Sequence, residues 1–77
     1  MPIKDPRFQA LASALGERVQ HYRHLRRLTQ NELAIKVGVQ PSQVQRWERG
    51  TQAPHASFVL LLARALGTST DALLGGV

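Results

Sequence analysis

The chain has 77 residues, ten Lys plus Arg against five Asp plus Glu, and no cysteine. That length accommodates one hydrophobic core, and the missing cysteines exclude disulfides and thiolate metal sites, leaving helix packing or oligomerisation to supply stability. A composition of 43% hydrophobic and 19% charged residues excludes a disordered chain, and the net charge of +5 favours a polyanionic partner.

No apolar run reaches the roughly 18 residues of a membrane span. The opening MPIKDPRF lacks the apolar stretch of a secretion signal, so a cytoplasmic location is expected, with no membrane partner. Apolar residues recur at helical spacing and never in strict alternation, which predicts an all-α fold.

In chain order, Asp5-Pro6 supplies a capping carboxylate and a proline for the first helical position. Phe8, Leu11, Leu15, Val19, Tyr22 and Leu25 or Arg26 then trace one apolar face of a long helix over about residues 6–26. Gly16 lies inside it, at a cost of about 1 kcal/mol relative to alanine. Thr29-Gln30-Asn31-Glu32 fits a capping box, with Leu28 able to staple onto Leu33. That second helix, 30–37, stops at Gly38, suited to a left-handed C-terminal position.

A third helix, 41–49, opens at Pro41 and ends at Gly50; Gln40 is a weak cap that the fixed angle of Pro41 partly offsets. The fourth is expected from Pro54 over 54–66 and the fifth over 69–74, with Ser69 as cap and Asp71 favouring the helix dipole. Residues 1–77 are expected to form a single five-helix domain.

Function concentrates between Thr29 and Gly50. Only Gly38, Val39 and Gln40 join the second and third helices, so the chain turns sharply. Ala34, at the expected crossing, permits close approach, and Val44 packs back beneath it. This is the pattern of a helix-turn-helix. The third helix has an apolar side of Val44 and Trp47, or of Val44 and Glu48 under a slight rotation. Its other side carries Ser42, Gln45, Arg46 and Arg49, with Gln43 at the edge. Amides and guanidinium groups are the side chains that bond adenine and guanine edges in pairs.

The segments LTQNELA, RWERG and LLLARALGTSTDALL, in this order, resemble the lambda-repressor/Cro-like, or XRE-type, helix-turn-helix domain, over Leu15 to Leu74. The resemblance implies a compact five-helix bundle that binds double-stranded operator DNA, usually as a homodimer, with the third helix in the major groove. It carries base reading onto Pro41, Ser42, Gln45 and Arg46, and phosphate contacts onto Thr29, Gln30, Gln43, Arg49 and Thr51. It also implies a pair between Glu48 and Arg23 that clamps the first helix to the third. Where this chain has Pro41 the family often has glutamine, and where it has Gln40, serine or threonine. Proline offers only apolar contact, so base reading is expected to shift toward Ser42, Gln45 and Arg46.

Competing readings are weaker. Trp47 could stack on bases, but its place in RWERG favours the core. His21 and His24 stand three apart and lack a third ligand nearby in sequence, so no metal site is expected. Asp5, Glu32 and Asp71 have capping or dipole roles, Glu48 has Arg23, and no serine has a base at recognisable spacing; catalysis, cofactors and small-molecule ligands are not expected. Arg26 and Arg27 are placed to touch phosphates or to end a helix, and Lys4 with Arg7 to form a basic arm.

Phe58 and Leu61 occupy positions usually polar in the family, while Ala56 stands where leucine is common. Either Phe58 turns inward, or Phe58 and Leu61 form an exposed dimer patch; the last helix, with Leu74 and Val77, is the other candidate interface. A protein-interaction or antitoxin-like adaptor on the same scaffold is the main alternative to a DNA-binding regulator, with RNA binding behind it.

Overall fold

Asp5 adopts an extended conformation and its carboxylate accepts from the Arg7 backbone amide at 2.9 Å, which starts α1 (Pro6–Leu25) on the proline at its first position. The computed structural model describes residues 5–75. α1 is continuous through Gly16. The chain leaves it through Arg27, the one described non-glycine residue at positive φ (57°), and enters α2 (Gln30–Val37) by a complete capping box. In that box Thr29 Oγ1 accepts from Glu32 N at 3.0 Å, and Glu32 Oε1 accepts from Thr29 N at 2.9 Å.

Gly38, at φ 83°, reverses the chain between α2 and α3 (Pro41–Arg49), a conformation that any side chain would strain. α4 (Ala56–Leu66) and α5 (Thr70–Leu74) complete the all-α fold, α5 opening where Ser69 Oγ accepts from Ala72 N at 3.0 Å. Among the described residues there is no strand, and no helix is long and apolar enough to cross a membrane.

Ala34, Val37 and Val44 meet at the α2–α3 turn, and Trp47, Leu33, Leu62, Leu66 and Leu73 fill the centre. α1 lies across α3 and closes one side, while α4 and α5 close the others. Every core helix other than the short α5 contributes at least three buried apolar residues or, for α3, a valine and a tryptophan. A fully buried side chain of this size is worth about 1.5–3 kcal/mol, the main term opposing chain entropy in a domain without cross-links.

Two sequence expectations are corrected. α4 begins at Ala56, not Pro54, because His55 is still extended (φ −63°, ψ 159°) and serves as a cap without a side-chain bond. Pro54 stands two residues ahead, on the extended approach. The buried face of α1 is also rotated from the one expected. Ala12, Leu15, Gly16, Val19 and Arg23 face inward, whereas Phe8, Leu11 and Leu25 are 63%, 67% and 61% exposed.

The cause is close approach. A methyl at position 16 would collide with the carbonyl oxygens of Trp47 and Glu48, so α1 rests its glycine directly on the last turn of α3. No larger residue could occupy that position. Gly16→Ala therefore forces two backbones apart, and overpacking of this kind typically costs about 1–3 kcal/mol. Urea unfolding should show a midpoint lowered accordingly, against the small gain that alanine brings to an unobstructed helix.

Candidate nucleic-acid interface

α3 presents two chemically distinct sides. Val44 and Trp47 are buried, which settles the rotation of the helix; Pro41, Ser42, Gln45, Arg46 and Arg49 are exposed on the other side. Glu48 belongs to neither. Its carboxylate points at α1, where Arg23 Nε donates to Oε2 at 2.6 Å and Nη2 to Oε1 at 3.0 Å. The Arg23 and Glu48 side chains are only 9% and 4% exposed. Arg23 Nη1 also donates to the Leu28 carbonyl at 2.9 Å, so the guanidinium braces the turn into α2 as well.

The predicted phosphate contacts divide into several environments. Thr29 uses its hydroxyl to cap α2. Gln30, expected to point outward, instead donates from Nε2 to Glu48 Oε1 at 3.0 Å, because the first residue of α2 lies over the buried carboxylate. Gln43 is half-buried and donates to Gln52 Oε1 at 2.6 Å. Thr51 Oγ1 donates to the Arg46 carbonyl at 3.2 Å, closing the end of α3. Arg49 stays exposed on the same side as Arg46.

Two other cations, Arg26 and Arg7, are engaged by protein acceptors. Arg26, expected beside a phosphate or at a helix end, donates from Nε to the Leu66 carbonyl at 2.8 Å and from Nη2 to the Gly67 carbonyl at 3.0 Å. It caps α4 from α1. Gly67 marks that helix end in the sequence, yet nothing local tells which cation will reach it. Arg7 turns back onto Asp5 at 3.0 Å, and Lys4, the other half of the expected basic arm, lies outside the described residues. Gln9, unremarked in the sequence, donates to the Gly50 carbonyl at 2.9 Å and to Ser13 Oγ at 3.2 Å, tying α1 to the end of α3.

Phe58 turns inward. It is half-buried and lies 5.4 Å from the Trp47 ring at 47°, so it does not join Leu61 in an exposed patch. Leu61 is 39% exposed beside Leu60 at 45%, and Leu74 is exposed on α5. Val77 lies outside the described residues. His21 packs edge-on to Tyr22, and among the described residues no three His, Cys, Asp or Glu side chains are grouped to hold a metal ion.

Two short helices meeting at a glycine turn, the second exposing amides and guanidinium groups, define a helix-turn-helix domain. Residues 14–74 match the family model described as a helix-turn-helix domain, and the chain belongs to that family, in its lambda-repressor-like branch.

The control protein C.SmaI of Serratia marcescens is 34% identical over 74 residues, covering 96% of this chain and 88% of that one. The restriction-modification controller protein C.AhdI of Aeromonas hydrophila superposes with a TM-score of 0.79 at 31% identity, over 83% of this chain and 97% of that one. The c2 repressor of phage P22, solved in complex with a synthetic operator, superposes with a TM-score of 0.76 at 35% identity, over 82% of this chain and 96% of that one. The chain spans only 36% and 29% of two longer curated relatives that it also matches.

The clamp and the capping box give separate predictions. Glu48→Ala leaves the Arg23 guanidinium buried without its carboxylate and should lower unfolding stability by roughly 3–5 kcal/mol. Replacing both partners by apolar residues, Arg23→Met with Glu48→Leu, should cost less than that single change in denaturant unfolding.

At the capping box, hydrogen bonds from the Thr29 backbone, then from its hydroxyl, hold the Glu32 carboxyl below its ordinary pKa. Its stabilising contribution is full above the ordinary carboxylate value and is lost as pH falls through the lowered one. Glu32→Gln keeps the cap geometry without the charge. Acid unfolding of this variant should be shallower through that window, as followed by circular dichroism.

Proposed function

We propose that residues 1–77 form a single DNA-binding domain of a transcriptional regulator, repressor-like and non-enzymatic, acting in the cytoplasm on the nucleoid. The observation that carries this is the exposed side of α3, which offers Ser42, Gln45 and Arg46 beside Pro41 with no exposed carboxylate between Pro41 and Arg49. A helix docked in the major groove directs its N-terminal residues at base edges while the preceding helix crosses the phosphate backbone.

Arg46 reads guanine through O6 and N7, and Gln45 reads adenine through N6 and N7. Ser42 adds a hydroxyl contact, and Pro41 offers only an apolar surface, suited to a thymine methyl. Arg49 and the amides at the start of α2 hold phosphates; Thr51, Gln43, Thr29 and Gln30 act there chiefly by shaping the backbone and its approach, given the bonds their side chains already make. The operator complex of the P22 c2 repressor supports this reading through a shared fold at 35% identity. The adaptor alternative is less well supported, since a protein-docking α3 would have no need of two unpaired arginines beside two amides.

The regulator acts as a homodimer, whose two-fold axis makes the operator a pseudo-palindrome with half-sites about one helical turn, or roughly 34–36 Å, apart. Leu60 and Leu61, not Phe58, are the apolar side chains that α4 offers for such a contact.

Sequences selected from a random duplex library should show this symmetry. On the selected duplex, Arg46→Ala should cost roughly 1–3 kcal/mol and relax one base position in each half-site. Arg49→Ala should weaken selected and random duplexes alike, and should reduce the slope of log affinity against log salt by about one for each phosphate it no longer neutralises. Association insensitive to salt, or a base preference unchanged by Arg46→Ala, would contradict these assignments.

A further inference from the structure

The two ends of α3 are held unequally. Its last turn is fixed by Glu48 on Arg23 and Gln30, by Gln9 on the Gly50 carbonyl, and by Thr51 on the Arg46 carbonyl. Its first turn has no side-chain cap, since Gln40 makes no capping bond and Pro41 has no amide to give. Among the described residues, the only side-chain hydrogen bond to that turn runs from Gln43 Nε2 to Gln52 Oε1, at 2.6 Å.

Gln52 is outside α3, on the segment between α3 and α4, and both glutamines are half-buried. They line, together with Ser42, Arg46, Trp47, Pro54 and Phe58, a hollow of about 430 Å³. The bond therefore spans from the base-reading turn to the loop that leads into α4.

The geometry points to Gln52 as a specificity-determining positioning residue: its side-chain carbonyl holds Gln43 and so fixes the first turn of α3, which presents Pro41 and Ser42 to DNA and sets the direction in which the helix carries Gln45 and Arg46. This rests on the DNA-binding reading above. Gln52 touches no base in this scheme. It acts by restricting the angles from which its neighbours reach base edges, and a bidentate contact depends on that direction more than a phosphate contact does. Loss of the tie should thus weaken discrimination while leaving the charge-driven part of binding intact.

The test uses the full chain and a duplex enriched by wild-type protein from a random library, with an unselected duplex as the second probe, each titrated at several salt concentrations. Gln52→Ala should lose about five- to tenfold on the enriched duplex, change less than twofold on the unselected one, keep the salt slope, and enrich a broader base pattern on reselection. Gln43→Ala should do the same, and the double variant should be no worse than either single one, because one bond is being removed.

Gln52→Glu keeps an acceptor for Gln43. It should enrich the wild-type base pattern while binding both duplexes more weakly, its added charge lying near the phosphates. Equal losses of Gln52→Ala on both duplexes with a reduced salt slope would make Gln52 a phosphate contact and overturn the proposal, as would an unchanged base pattern. Failure of the wild-type chain to bind either duplex at low salt would instead overturn the DNA-binding reading, and this proposal with it. Circular dichroism and urea unfolding of each variant separate a loss of fold from a loss of discrimination.

Discussion

The buried pair of Arg23 and Glu48 is the constraint on which the arrangement of this small domain depends. Ionic groups removed from water lose several kcal/mol each, and only good geometry with additional hydrogen bonds recovers it. Here both carboxylate oxygens are engaged, one by Arg23 Nε and the other by Arg23 Nη2 and Gln30 Nε2, and the remaining guanidinium nitrogen finds the Leu28 carbonyl. No buried side-chain nitrogen or oxygen among the described residues lacks a partner. The junction joins α1, α2 and α3 at one point. Directional bonds to one carboxylate add to the apolar packing a fixed approach of the three helices at that point.

Around this junction the packing uses small residues where backbones meet. Gly16 lets α1 rest on the terminal carbonyls of α3, and Gly50 does the same against Ser13 on the α1 side. Gln9 then donates to the Gly50 carbonyl, engaging a helix-end acceptor that has no partner within α3. The result is a contact between α1 and α3 made largely of backbone and short side chains, whose geometry is set by sterics more than by the sizes of core residues.

Much of this was legible in the sequence because it is local. The capping box at Thr29 and Glu32 and the glycine stops at Gly38, Gly50 and Gly67 each follow from a few neighbouring residues. For α3, neighbouring residues allow an apolar side of Val44 with Trp47 or of Val44 with Glu48, and burial decides for Trp47. What was not legible is long-range or depends on a choice among equivalent partners. The periodicity of α1 allowed a face through Phe8 and Leu11, but the approach of α3 selected the one through Ala12 and Gly16. Gln30 and Arg26 have side chains equally suited to phosphate or protein acceptors; only the fold places the Glu48 carboxylate and the end of α4 within their reach. Gln52 carried no signal at all, since its meaning comes from a partner on another element.

Those partnerships also change what the net charge means. Of the cations that make the chain basic, Arg7, Arg23 and Arg26 are engaged with protein acceptors, and they contribute little to a phosphate surface beyond a diffuse field. Arg46 and Arg49, on the exposed side of α3, retain their full directional capacity. Two exposed guanidinium groups thus lie on a helix that is anchored at one end by buried bonds and steadied at the other by a single amide pair. On the proposed reading, the firmly held last turn sets how the domain sits on a duplex, and the amide pair at the first turn restricts the angles from which the side chains of α3 reach base edges. On that reading, affinity and discrimination draw on different ends of the same nine-residue helix, and side chains on α1 and beyond α3 bear on what the helix reads.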